Sequence, residues 1–334
     1  MLHDRKGHDT PALSQSKQNM NNANDIQFGC ARLSKIMTDA ETLTEKQIEK
    51  VIEFQKKEKL TDIQKAELKR LIQKRDNPEL PAGVKTHLLD VWVSAKYKRK
   101  EEIQGKVLEK GNAREETSVT LVSVLTKQFY TKNKIRLGNK HIRGEWDLHT
   151  GPFKAEEGPD GKLVMVQPAT KTIDTKTSWS AHSYFRAINS PLDDAYWWQG
   201  QGYCDLTGAM KHEVAYCLVN SIDTAILAEK RSAFFKLGSP AKDTITYNEY
   251  RRRCKQIEIN HIFDLQSFVD EYPDFEFQND LDSWSFDIPM KERLHIFEFD
   301  RDQSAINRMH KRAEECKAWM NEKLFKVVPQ LLEA

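Results

Sequence analysis

TIDTKTSW, residues 172–179, is the stretch on which the reading of this chain turns. Its β-branched residues predict a strand, and on a strand residues two apart face the same side. Asp174 and Lys176 therefore point together, and Thr175 points away. Taken alone, the pair reads first as an ordinary structural ion pair. What surrounds it adds a second reading. Asp147, in RGEWD, closes a short extended stretch, HIRGEWDLH (141–149), and a hairpin from there to Asp174 brings two carboxylates close together. Carboxylates held that close repel unless a cation lies between them. Mg²⁺ suits such a place, because it takes oxygen ligands and often keeps only one or two protein carboxylates.

Working outward, KGNAREETSVTLVSVLTKQF (110–129) predicts a helix with Glu115, Ser118, Val122, Leu125 and Phe129 on one face. On the other side, SPLDDAYWWQGQGYCDLTGAM (190–210) predicts a helix that aligns Tyr196, Gln199, Tyr203, Leu206 and Met210. Gln199 and Tyr203, at i and i+4, either brace a neighbouring site or hydrogen-bond a phosphate, or simply pack the helix onto a sheet. KLVMVQ (162–167) and HEVAYCLVN (212–220) read as further strands, and EEGPDGK (156–162) as turn chemistry. Residues 117–144 hold no acid but carry Lys127, Lys132, Lys134, Arg136, Lys140 and Arg143. Uncompensated, these would raise the local positive field.

Helix glutamate, strand aspartate, strand (D/E)-x-K and Q-x-x-x-Y occur here in that order as Glu115, Asp147, Asp174-Thr175-Lys176 and Gln199 with Tyr203. The arrangement resembles the PD-(D/E)XK nuclease superfamily, and more narrowly the branch of lambda exonuclease, the YqaJ-type viral recombinases and the RecB nuclease domain. The resemblance covers roughly 105–220, and FGCARLSKIMTD (28–39) also looks like the opening of phage-encoded members. One departure is that Asp174 stands where glutamate is commoner.

The resemblance implies a metal-dependent DNA exonuclease that resects duplex ends for recombination in the cytoplasm of a bacterial host, beside a single-strand annealing protein. It implies Asp147, Asp174 and Glu115 as ligands of Mg²⁺ (or Mn²⁺ in its place), with the Thr175 carbonyl completing the site. Lys176 would position the attacking water and offset transition-state charge. Lys134, Arg136, Lys140 and Arg143 would meet DNA, with Gln199 and Tyr203 beside them, and a trimer is implied by the same likeness. A non-cleaving DNA-binding relative and a structure-selective endonuclease are the alternatives.

The rest of the chain sets the frame. With 39% apolar and 31% charged residues among 334, it has enough of both for a packed core under a solvated surface. The net charge of +2 points to no partner. No run of about 18 apolar residues predicts a membrane span, and the opening residues lack the apolar region of a secretory signal. The five cysteines are scattered without CxxC spacing, as expected of free thiols in a reducing compartment. The expected fold is α/β: a central mixed sheet flanked by helices, with a C-terminal helix over 302–326. Residues 1–25 read as a disordered arm, 26–105 as a helical region and 106–334 as the nuclease domain with a cover segment. TEKQ (44–47) and TDIQ (61–64) fit helix capping boxes. Apolar stripes are expected at Ile48, Val51 and Ile52, and at Ile63, Leu68, Leu71 and Ile72. A further helix is expected over 84–106 with the basic cluster KYKRK (96–100), and the acidic run 262–290 reads as a solvated loop.

Overall fold

The computed structural model describes residues 21–39, 43–76, 79–99, 101, 105–159, 161–271, 273 and 287–326. Most of the expected arm, the end of the KYKRK cluster and residues 272 and 274–286 of the acidic run lie outside these. The helices are α1 (Ser34–Met37), α2 (Glu45–Lys56), α3 (Asp62–Asp76), α4 (Ala82–Tyr97), α5 (Lys106–Ala113), α6 (Glu115–Thr126), α7 (Ala181–Ile188), α8 (Asp194–Thr207), α9 (Asp223–Lys236), α10 (Ile245–His261), α11 (Leu265–Glu271) and α12 (Gln303–Met320). The strands are β1 (Phe28–Gly29), β2 (Leu137–Gly138), β3 (Ile142–Gly144), β4 (Leu148–Thr150), β5 (Lys154–Glu157), β6 (Leu163–Gln167), β7 (Lys171–Thr177), β8 (Lys211–Cys217) and β9 (Leu294–Asp300).

The central sheet has the order β4-β7-β8-β9. Its middle pair, β7 and β8, is parallel, and both outer pairings are antiparallel. The expected mixed sheet with helices on its faces is borne out. Period-two alternation along β8 sorts the layers. Ala215 and Cys217 pack with Val119, Leu121 and Val122 of α6 on one face, where Leu148 and Ile173 join them. Val214 and Tyr216 pack with Tyr184 of α7 on the other. A small sheet, β1-β3-β2, and a β5-β6 hairpin stand beside it.

The helix α8 is clamped from two sides, and glycine makes this possible. A Cβ on Gly200 would stand 2.4 Å from His212 Cδ2 and 2.5 Å from Phe299 Cζ, both on the sheet. One on Gly202 would stand 2.6 Å from Leu33 Cδ1 and 2.9 Å from Cys30 Sγ. Gly200→Ala is accordingly expected to lower unfolding free energy by about 1–3 kcal/mol through overpacking. Urea denaturation checks this, and a midpoint equal to that of the parent would contradict the close approach.

The largest buried cluster joins Leu33, Ile36, Leu88 and Trp92 to Trp146, Trp198 and the α12 stripe. That stripe, Ile306, Met309, Ala313, Cys316, Met320 and Leu324, is buried throughout as expected, and the helix ends in a π-type turn over Asn321–Phe325. Two threads hold residues 23 and 24 to it. Ala23 N–H donates to Asn321 Oδ1 at 2.7 Å, and Lys317 Nζ donates to the carbonyls of Asn24 at 2.9 Å and Lys140 at 2.7 Å.

Both capping boxes form, Thr44 with Gln47 and Thr61 with Gln64. Several expectations need correction. The helix expected over 84–106 stops at Tyr97, because Lys98 turns left-handed at φ 58°. Phe129 and Met210 are not on their helices but exposed beyond them, since Lys127 (φ 56°) and Gly208 (φ 67°) end α6 and α8. Ile48, Ile52 and Ile63 are exposed; only Val51 and Leu71 of those stripes are buried, with Leu43. The edge strand β9 was not anticipated at all. Among the described residues no helix is long and apolar enough to cross a membrane.

Candidate active site

The register of the central sheet builds the site. In the antiparallel pair, Leu148 faces Ile173, and the residue before it, Asp147, comes near enough to Asp174 for the two charges to interact. Asp147 is set just before β4 rather than within a strand. Its loop is fixed by Asn133, whose N–H donates to the Asp147 carbonyl at 2.7 Å and whose Nδ2 donates to the Trp146 carbonyl at 3.0 Å. Thr175 then orients the carboxylate: its backbone N–H and its hydroxyl both donate to Asp147 Oδ2, at 2.6 and 2.8 Å.

Asp174 and Lys176 share the other face of β7, as alternation requires, and form a buried ion pair. Lys176 Nζ also donates to Gln199 Oε1 at 3.2 Å, and Gln199 Nε2 donates to Tyr203 Oη at 2.8 Å. The ammonium lies 4.5 Å from the centroid of the Tyr196 ring, a cation–π contact. Thus the Q-x-x-x-Y pair reaches the strand through the lysine. Tyr196 was visible in the sequence only as a member of the same helix face. Three residues before Gln199 and seven before Tyr203, it was the signal that the lysine would be enclosed.

The electrostatics follow from burial and crowding. Burial, then the neighbouring Asp174 charge, pushes the Asp147 carboxyl up to about 7, against the pull of the two Thr175 hydrogen bonds. For Lys176, burial opposes the charged form, but the adjacent Asp174 carboxylate prevails and holds the ammonium above its ordinary value. Burial raises the Tyr203 phenol well above the usual range. His212, beneath α8, is pushed down to about 3 by burial and by the Lys176 charge; its Nδ1 bonds the Thr172 hydroxyl at 2.8 Å. It is a neutral core histidine.

Glu115 opens α6 instead of lying inside one helix over 110–129, which breaks at Arg114, and its carboxylate pairs with Lys132. Among the described residues no set of three or more His, Cys, Asp or Glu side chains is arranged to hold a metal ion. The structure therefore brings together two carboxylates and a lysine, with Glu115 near enough to act on Asp147 electrostatically. The two-carboxylate set still suits Mg²⁺. Its donors are hard oxygens, and the buried Asp174 Oδ2 already holds a cationic group, the Lys176 ammonium.

The basic segment also needs correction. Arg136 pairs with Glu145 at 3.5 Å and Lys140 with Glu314 at 2.8 Å. With Lys132 on Glu115, half of the positive charges taken as uncompensated have partners, all from outside 117–144. Lys134 and Arg143 are exposed and, among the described residues, form no ion pair.

No family model and no curated protein matches the chain. Among solved structures, a phage-related exonuclease from Haemophilus somnus 129PT aligns over 93% of this chain and 99% of its own, at 17% identity and a TM-score of 0.52. The chain has the fold of that exonuclease. The α/β architecture expected from the nuclease resemblance is thereby borne out. An alkaline exonuclease from Laribacter hongkongensis, alone and in complex with dAMP, aligns over 93% of this chain and 95% of its own. Identities are 8% and 9%, with TM-scores of 0.47 and 0.45.

Proposed function

We propose that the chain is a Mg²⁺-dependent deoxyribonuclease that resects duplex DNA from its ends. The observation that carries this reading is the Asp147–Asp174–Lys176 assembly, with Asp174 buried and its two neighbours half-buried, seated on a fold shared with an exonuclease. Asp147 and Asp174 would hold the ion, with Glu115 contributing through a water and the Thr175 carbonyl beside it. Bound there, Mg²⁺ supplies Lewis acidity and neutralises charge on a phosphodiester. The chain's own residues do the remainder. Thr175 aims Asp147, and Gln199, Tyr203 and Tyr196 fix the direction of Lys176. Lys176 positions the attacking water and offsets negative charge as it develops on the phosphoryl oxygens. Exposed Lys134 and Arg143 would meet the DNA backbone, and Arg136 and Lys140 would exchange their acidic partners for phosphates. A role beside an annealing protein in the cytoplasm of a bacterial host, and assembly as a trimer, belong to the same proposal.

The test uses purified protein and end-labelled linear duplex, with nicked and closed circular duplex in parallel. Mononucleotide release from the linear substrate is expected with Mg²⁺ and no release with chelator. Cleavage of the closed circle at the same rate would replace the exonuclease reading with an endonuclease. Failure to cleave any of the three with Mg²⁺ or Mn²⁺ would leave only a DNA-binding role.

A further inference from the structure

The helical hairpin of α9 and α10 concentrates positive charge that the aspartate site does not use. Residues 231–255 hold seven Lys or Arg against two acids, Asp243 and Glu249, a net charge of +5. The whole chain carries only +2, so the remainder is net negative. All seven cations are exposed. Glu249 pairs with Arg252 and Arg253, each at 2.9 Å. Arg231, Lys236, Lys242 and Arg251 form no ion pair among the described residues. A surface of this kind draws a polyanion.

Aromatic rings stand among these charges and narrow the choice. Phe234 meets Tyr250 at 5.2 Å between centroids, which sets the last turn of α9 beside the second turn of α10. Tyr247 lies 5.8 Å from Tyr250, and Phe235 lies 5.9 Å from Phe234. Phe235 is nevertheless 64% exposed. At steps of four residues it shares one face of α9 with Arg231 and with Leu227, also largely exposed. An exposed ring one turn from an exposed guanidinium suits a ligand that offers both a π-face and a phosphate. The hairpin is also tied to the proposed catalytic region. Arg114, next to Glu115, donates from Nη2 to the Ser221 carbonyl at 3.0 Å, just before α9, and Lys106 of α5 pairs with Glu229 of α9 at 2.6 Å.

We infer that the tip of the α9–α10 hairpin is a non-catalytic binding surface for single-stranded DNA, with a base stacked on Phe235 and phosphates on Arg231, Lys236 and Arg251. A duplex would use the cations alone, because its bases are already stacked on one another. The exposed ring favours the single strand. The choice of DNA rests on the proposed function, since resection of one strand from a duplex end leaves the other unpaired. The surface itself rests on charge and exposure.

Fluorescence anisotropy of the full chain with labelled oligothymidylate, in chelator and over a range of salt, tests this. Binding is expected. Phe235→Ala, which keeps every charge, should weaken it at least about fivefold, and Phe235→Trp should restore it. Arg231→Ala combined with Arg251→Ala should weaken it at least about tenfold and lower the slope of log affinity against log salt by about 1.4. Lys56→Ala combined with Lys69→Ala removes the same charge from the exposed faces of α2 and α3, and should change affinity less than about twofold if the hairpin is the locus. Thermal melts matching the parent exclude loss of fold as the cause. No binding, binding untouched by Phe235→Ala, or equal losses in the two double variants overturns the proposal. A duplex of the same length bound as tightly as the oligothymidylate removes the single strand from it. Because this measurement needs no cleavage, a protein that binds through the hairpin yet cuts no DNA would refute the nuclease reading and spare the surface.

Discussion

Lys176→Ala and Asp174→Ala are each expected to lower Mg²⁺-dependent phosphodiester cleavage by at least about a hundredfold, or about 2.7 kcal/mol of transition-state stabilisation. The two losses have different origins. Asp174 is a proposed ion ligand, whereas Lys176 is proposed to face the reacting phosphate and is held by three neighbours: the Asp174 carboxylate, the Gln199 amide and the Tyr196 ring. Each single change also strands a buried charge, which destabilises a fold strongly. Thermal melts must therefore accompany the kinetics. Lys176→Met, which keeps the stem but not the charge, should be as inactive as the alanine variant. Full activity in Asp174→Ala, at any stability, would sink the site.

Trp146→Ala is expected to cost about 3–5 kcal/mol of stability, the range for removing a large buried aromatic. The indole is fully buried. It makes edge contacts with Phe153 at 5.1 Å and His149 at 6.1 Å, and donates Nε1–H to His149 Nδ1 at 3.3 Å. The next residue is Asp147, so the cavity left behind would loosen the loop that Asn133 fixes and, with it, the carboxylate that Thr175 orients. Activity should fall even where the variant remains folded, and Trp146→Phe should restore most of both. Guanidinium denaturation and initial cleavage rates measure the two effects separately. An unchanged midpoint would mean that the indole is not the anchor it is taken to be.

The site was legible where its physics is local. Alternation on β7 placed Asp174 and Lys176 together, and helical spacing placed Gln199 over Tyr203. Both follow from periods of a few residues. Thr44 and Thr61 announced their helices for the same reason, since a capping box is complete within four residues. What escaped the sequence depends on contacts between distant segments. The partners of Lys132, Arg136 and Lys140 are Glu115, Glu145 and Glu314, so a window over 117–144 could only count charges of one sign. The small sheet rests on strands of two or three residues, too short to carry a pattern. LHIFEFD (294–300) does alternate, but it lies between the acidic run and the last helix and was given no reading. The turns that release Phe129 and Met210 depend on single left-handed residues, and spacing alone runs straight through them.

The attachment of residues 23 and 24 to Lys317 and Asn321 joins positions separated by up to 298 residues. Bringing together points so far apart carries a large loop-closure entropy, which grows slowly with length but must be met before the contacts reward it. The segment carrying Leu33, against which Gly202 of α8 rests, belongs to the same cluster as α12. A polypeptide interrupted before residue 303 therefore lacks the surface against which its own beginning closes, and the helix that steadies Lys176 has one wall missing. Synthesis from the N-terminus thus makes closure of this fold a late event, completed only once the last helix has emerged.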